Sequence, residues 1–192
     1  MSPRAAALSA DQRRDALVQA TLPLLVEYGR FVTTRMIAEA AGVAEGTIFR
    51  VFDSKEELVE AAIQQGFDPS RFLHDLDHID PATPLRERLV QIVAVLQRRF
   101  TELFGLMHAV GMVAPPDHHS QAHADTREEI NAHLVSLVAP DADLLRVPPD
   151  QLLHVIRLLT FSGSHPRISD GHTLTPTQIV DVVLDGVLSK DS

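Results

Sequence analysis

The sequence predicts an all-α chain of about nine helices, with a small N-terminal three-helix unit carrying a helix-turn-helix and a larger C-terminal helical bundle. Three observations predict this. Nearly every periodic segment repeats its apolar residues at i, i+3 and i+4, and no segment alternates convincingly as a strand does. Helix-starting and helix-stopping residues fall at the ends of those segments. Charge and histidine content also change after the first fifty-odd residues.

The elements follow in order. Ser9-Ala-Asp-Gln12 is an S-x-x-Q capping box and opens a first helix. Leu17, Ala20, Thr21, Leu24, Leu25 and Tyr28 form its apolar face, and Gly29 stops it. Pro23 lies inside this helix and removes the bond to the carbonyl of Gln19, which predicts a kink. Thr33 or Thr34 caps a second helix to about Ala41. The stretch AAGVAEGTIFRVF, residues 40–52, then interrupts the pattern with two glycines and holds the third helix. Ser54-Lys-Glu-Glu57 is an S-x-x-E capping box for the next helix, through about Gln65, and Gly66 and Pro69 end it.

A second region begins here, giving domains 1–65 and 66–192. Pro84 or Leu85 starts a long helix with Leu85, Leu89, Ile92, Leu96, Leu103 and Met107 on one stripe. Residues 114–120 read as a loop, 121–138 as an amphipathic helix and 149–161 as a strongly apolar one. Pro176 opens a last helix with Ile179, Val182, Val183, Val187 and Leu188.

Composition narrows the function. The hydrophobic fraction of 45% is ample for a core in 192 residues. The absence of cysteine excludes disulfides, thiolate metal sites and cysteine nucleophiles. No uncharged apolar run is long enough to span a membrane, and the N-terminus lacks a signal-peptide core, so a cytoplasmic protein with no membrane partner is expected. The formal net charge is -9, yet the segment through Lys55 carries seven basic against six acidic residues. All ten histidines lie from His74 onward. A global acidity argues against a non-specific nucleic-acid coat but permits a local reading surface.

With Gly42 as the turn residue, the interrupted stretch has the order of a helix-turn-helix. Ala38 is small where the helices cross, and Ile37, Ala41, Val43, Ile48 and Val51 lock the second helix onto the first. Arg35, Glu45, Gly46, Thr47, Phe49 and Arg50 remain outward, positioned for a major groove, with Thr33, Thr34 and Lys55 placed for phosphates. A plain helical hairpin with a glycine turn is the alternative reading of the same residues.

The run TTRMIAEAAGVAEGTIFRVFDSKEELVEAAI, residues 33–63, resembles the DNA-binding domain of the TetR family of transcriptional regulators. The matching pieces are the threonine pair, IAEAAGV, the G-T-hydrophobic-aromatic run and F-x-S-K-E-E-L, within a resemblance covering about residues 9–63. It implies a homodimer on a palindromic operator in double-stranded DNA, and a C-terminal region that often houses a small-molecule effector pocket. It also implies that Thr34 caps the second helix and bonds a phosphate. Arg35 and Arg50 then meet base edges or phosphates, Gly46 lets the backbone come close, Thr47 touches the sugar-phosphate chain and Lys55 anchors a phosphate. Ala44 and Phe49 stand where family members commonly carry Ser and Tyr, which implies the loss of a helix cap and of one phosphate bond. Glu45 is repelled by phosphate unless it accepts from a cytosine amino group, so it is expected to narrow specificity.

In the second region, Phe100, Phe104, Met107, His108, Met112 and Phe161 suit an effector pocket or ordinary core packing. Leu152, Ile156, Leu159, Ile179, Val183 and Val187 suit a four-helix dimer seam or internal core, and the resemblance favours the seam. His118, His119 and His123, with Asp117 and Asp125, are the one metal-like signal. Their loop setting makes exposed histidines the simpler reading, so neither metal nor cofactor is expected. A repressor released by a small molecule is thus the leading reading. A dimeric helical adaptor and a His-ligated metallohydrolase are the alternatives, the latter lacking any H-E-x-x-H, nucleophile elbow or phosphate loop.

Overall fold

The computed structural model describes residues 9–112 and 120–186, and every regular element among them is helical. The eight α-helices are α1 (Ala10–Tyr28), α2 (Thr34–Ala41), α3 (Lys55–Phe67), α4 (Ser70–Asp77), α5 (Leu85–Val110), α6 (Gln121–Val138), α7 (Pro149–Ser164) and α8 (Pro176–Asp185). Short 3₁₀ helices cover Gly29–Phe31, Glu45–Arg50 and Ala139–Leu144. No described helix is long and apolar enough to cross a membrane. The described residues divide into two compact units, 9–68 with 105–112, and 69–104 with 120–186.

In the first unit, Ser9 closes the expected capping box. Its hydroxyl accepts from the Gln12 N–H at 3.1 Å, and the Gln12 amide oxygen accepts from the Ser9 N–H at 2.9 Å. α1 then runs through Pro23 to Tyr28. Gly29 ends it at φ 56°, where a Cβ would lie 2.5 Å from the carbonyl oxygen of Ala109. Glycine is required there by both backbone angle and space. The neighbouring Arg30 donates from Nε to the Val110 carbonyl at 3.0 Å. Leu17, Leu25, Ile37, Ile48, Phe52 and Leu58 form the buried core, and Leu106 and Val110 join it from the last turns of α5. The first unit is therefore the N-terminal segment plus a piece returned from later in the chain.

The second unit buries Leu89, Ile92, Val93, Leu137, Leu153 and Val180 in its own core. α3 runs through Gly66, expected to end it, to Phe67, and α4 is an added helix, eight residues long, starting just after Pro69. Arg88, 2% exposed, donates to the carbonyls of Pro81 and Thr83 and to the carboxylate of Asp141, tying the approach to α5 to the 3₁₀ turn after α6. Arg86 bridges α5 to α8 through Asp181 at 2.5 Å and Asp185 at 2.6 Å.

Of the two readings left open for the apolar set of the last two helices, internal core fits Leu152, Ile156 and Ile179, which are buried within the single chain, with Leu159 and Val183 packed against the same core, although the resemblance favoured a seam between chains. Val187, the sixth of that set, lies outside the described residues. The exposed apolar side chains of α7 and α8 are instead Val155, Leu158, Phe161 and Val182. Beside its buried stripe α7 carries Val155, Leu158 and Phe161 outward, so apolar spacing alone could not choose its inward face.

Candidate nucleic-acid interface

The reading edge is built on α2 and the turn that follows. Thr33 is the N-cap: its backbone is extended and its hydroxyl accepts from the Met36 N–H at 3.2 Å. Thr34, given the cap by the resemblance, is the first helical residue instead. Gly42 ends α2 in the left-handed region at φ 67°, ψ 31°. Its N–H bonds to Glu39 and that of Val43 to Ala38, at 3.2 and 3.0 Å, a Schellman closure that reverses the chain.

The segment expected as a third helix is a six-residue 3₁₀ helix, Glu45–Arg50. Ala44 has a cap's extended backbone but no side chain to accept an N–H, so the turn starts uncapped. It closes through Thr47 N–H to Ala44 O at 2.8 Å and Val51 N–H to Ile48 O at 3.0 Å. Ile48 points into the core, while Glu45, Gly46, Phe49 and Arg50 are exposed and Thr47 is half-buried. Nothing lies within 4 Å of where a Gly46 Cβ would stand, and its φ is not positive, so no internal contact or strain requires glycine there.

Several charged groups on this edge have identifiable partners. Arg35 Nε meets Glu39 Oε1 at 3.0 Å, with both side chains largely exposed. The Thr34 hydroxyl donates to Glu45 Oε1 at 2.5 Å, across eleven residues. Lys55, first residue of α3, donates from Nζ to the Val32 carbonyl at 3.3 Å, linking the α1–α2 connection to the start of α3. Ser54 caps α3 through the Glu57 N–H at 3.1 Å, and the Glu57 carboxylate reaches the N–H of Asp53 at 2.8 Å. Arg14 from α1 lies 4.2 Å above the Phe52 ring and 3.4 Å from Glu57.

Two features of this edge escaped the sequence reading. Phe31, 89% exposed, sits two residues before the α2 cap. It follows the helix stop at Gly29 and belongs to no apolar stripe, which was its only signal. The Thr34–Glu45 pairing crosses the turn, and helical spacing holds no trace of it.

The other candidates separate. Phe100, Phe104 and Phe161 do come together in the second unit, ring centres 4.9–6.1 Å apart, with His165 4.6 Å from Phe104. Met107, His108 and Met112 belong to the first unit. A polar groove of about 600 Å³ lies along α6 and α7, lined by Arg127, Asn131, His154 and Arg157 among others, and contains none of the six. His118, His119 and Asp117 fall outside the described residues. His123 and Asp125 lie on α6, and no group of three metal-ligating side chains occurs among the described residues.

A helix-turn-helix with an outward, glycine-containing second element, followed by a helical bundle, defines a class of DNA-reading regulatory proteins. Residues 17–62 match the family model for bacterial regulatory proteins, tetR family. The uncharacterized HTH-type transcriptional regulator YvkB of Bacillus subtilis is 50% identical over 50 residues, which is 26% of this chain and 26% of YvkB. The chain thus matches about a quarter of that curated relative's length. The TetR transcriptional regulator SCO0520 from Streptomyces coelicolor has a similar fold: TM-score 0.57, 23% identity, covering 92% of this chain and 99% of that one. LfrR from Mycobacterium smegmatis, solved in complex with proflavine, gives TM-score 0.56 at 17% identity over 92% and 98% of the two chains. Residues 17–62 thus match the tetR-family DNA-binding domain, and the chain shares the fold of solved TetR-type regulators.

Proposed function

We propose that this chain is a sequence-specific DNA-binding transcriptional regulator, a repressor that acts as a homodimer on a palindromic operator and is released by a small molecule. The observation that carries the reading is the outward face of Glu45–Arg50. Ile48 anchors that turn in the core while Gly46, Phe49 and Arg50 face away from it, and Arg35 and Lys55 flank it on the same unit. Three cationic side chains suited to phosphates and bases, Arg35, Arg50 and Lys55, therefore lie on or beside an element that suits a major groove in size.

The uncovered apolar side chains of α7 and α8 support the homodimer: Val155, Leu158 and Val182 are 41–54% exposed on helices that also bury Leu152, Ile156 and Ile179 in the core. The aromatic group of Phe100, Phe104 and Phe161 supports a place for an apolar effector in the second unit. LfrR, which shares the fold, binds proflavine in its solved complex.

The test is a gel shift with DNA from upstream of the chain's own gene and with a random duplex library, at two salt concentrations. If two protomers each bring Arg35, Arg50 and Lys55 to phosphates, affinity falls on the order of a thousandfold between low and moderate salt. Absence of any salt-sensitive shift would refute DNA binding. Leu158→Glu should convert a dimer to a monomer in light scattering, and an unchanged mass would refute the seam.

A further inference from the structure

We infer that Thr34 is a positioning residue for a base-reading carboxylate, Glu45, and not a phosphate donor. The inference deepens the proposed DNA-reading function and rests on it. Its starting point is that Thr33, through the Met36 N–H, already caps α2. The Thr34 hydroxyl is left free of helix duty and donates its one proton to Glu45 Oε1 at 2.5 Å.

That bond decides what the pair offers outward. A hydroxyl carries a single donor, so a proton held on Glu45 is not available to a phosphate oxygen. The remaining outward groups are the second Glu45 oxygen and the lone pairs of Thr34, all acceptors. Phosphate oxygens are acceptors too and cannot bond to such a pair. In a major groove the donors are the amino groups of cytosine and adenine, and a carboxylate is suited to the cytosine N4 amino group. No ion pair to Glu45 occurs among the described residues, and Arg35 stands against Glu39 at 3.0 Å.

The bond also supplies orientation. A free glutamate samples several rotamers and loses that freedom on binding. Here Glu45 is tied to the first residue of α2, at the start of a 3₁₀ turn that Ala44 leaves uncapped. Thr34 thus fixes both the direction of the carboxylate and the start of the turn that carries it.

The experiment is selection of bound sites from a random duplex library by the full chain and by its Thr34→Val, Thr34→Ser and Glu45→Gln variants. Anisotropy titrations on the selected duplex and its single-base variants follow. The wild-type chain should select an amino-bearing base, cytosine above adenine, at one pair in each half-site. Glu45→Gln should move that preference to adenine, which a carboxamide contacts through two bonds. Thr34→Val should relax discrimination at the same pair on the order of tenfold, and Thr34→Ser, which keeps the hydroxyl, should restore it. Equal weakening of every duplex by Thr34→Val, with base preference intact, is the signature of a lost phosphate contact and overturns the inference. An unchanged preference in Glu45→Gln overturns it as well. A wild-type chain that enriches no sequence refutes the DNA-reading function itself.

Discussion

Replacing Gly46 with alanine separates what the fold needs from what a bound duplex needs. The glycine has no positive φ, and a Cβ there meets nothing within 4 Å. Folding therefore carries no clash and no backbone strain from the substitution. The unfolded chain loses freedom, which stabilises the native state by about 0.4–1 kcal/mol. For a chain of this size the melting temperature rises by roughly 1–4 °C. Binding moves the other way. On the proposed reading the new methyl fills space through which the turn's backbone would approach DNA, and overpacking there costs about 1–3 kcal/mol, or roughly five- to 150-fold in affinity. Thermal unfolding by circular dichroism and anisotropy on the selected duplex measure the two effects. A variant that is as stable as the wild type and binds equally well would refute the idea that this face of Glu45–Arg50 comes close to DNA. A destabilised variant would refute the reading of open space around the Cβ.

Three further substitutions test the frame. Gly29→Ala meets both positive φ and a backbone oxygen 2.5 Å from its Cβ, so urea unfolding should show a loss of about 2–5 kcal/mol. A loss below about 1 kcal/mol would sink the close approach to Ala109. Arg88→Met strips the partner from Asp141 and two carbonyls, and should cost about 3 kcal/mol, the low end for a buried pair because Asp141 keeps some water. Tyr28, the single tyrosine of the chain, should ionise above the usual phenol range because it is hydrogen-bonded to Glu27, whose charge also opposes a phenolate. Near-ultraviolet titration should place the midpoint lower in Glu27→Gln, and identical midpoints would exclude that pairing.

What the sequence made legible was local. The caps at Ser9 and Ser54 and the left-handed turn at Gly42 are fixed by residues within four positions of one another, and the structure forms all three. The all-helical class followed from periodicity for the same reason. What stayed hidden depends on distant partners. Gly29 reads as a simple helix stop, yet its space is set by Ala109. The return of 105–112 to the first core rests on Leu106 and Val110, which look like any other positions in a long apolar helix. Thr34 and Glu45 carry no shared pattern, because a bond across a turn has no helical period. The 3₁₀ form of residues 45–50 was equally out of reach, since six residues are too few for periodicity to tell it from an α-turn.

The partners on the reading edge also set the order in which its contacts give way. Arg35 and Glu39 form an i,i+4 pair with side chains 81% and 67% exposed, and such a pair is worth about 0.3–0.5 kcal/mol. A phosphate therefore draws Arg35 away at almost no cost. Lys55 is held by a neutral carbonyl at 3.3 Å, long for a hydrogen bond, and is as easily released. The Thr34–Glu45 bond is charge-assisted, a type roughly twice as strong as a neutral hydrogen bond. Phosphate offers the Thr34 proton only another anionic acceptor and offers the carboxylate no donor at all. An approaching duplex thus recruits the cations and leaves the carboxylate in place. Affinity then comes from groups that change partners freely, and selectivity from the one acidic group that does not.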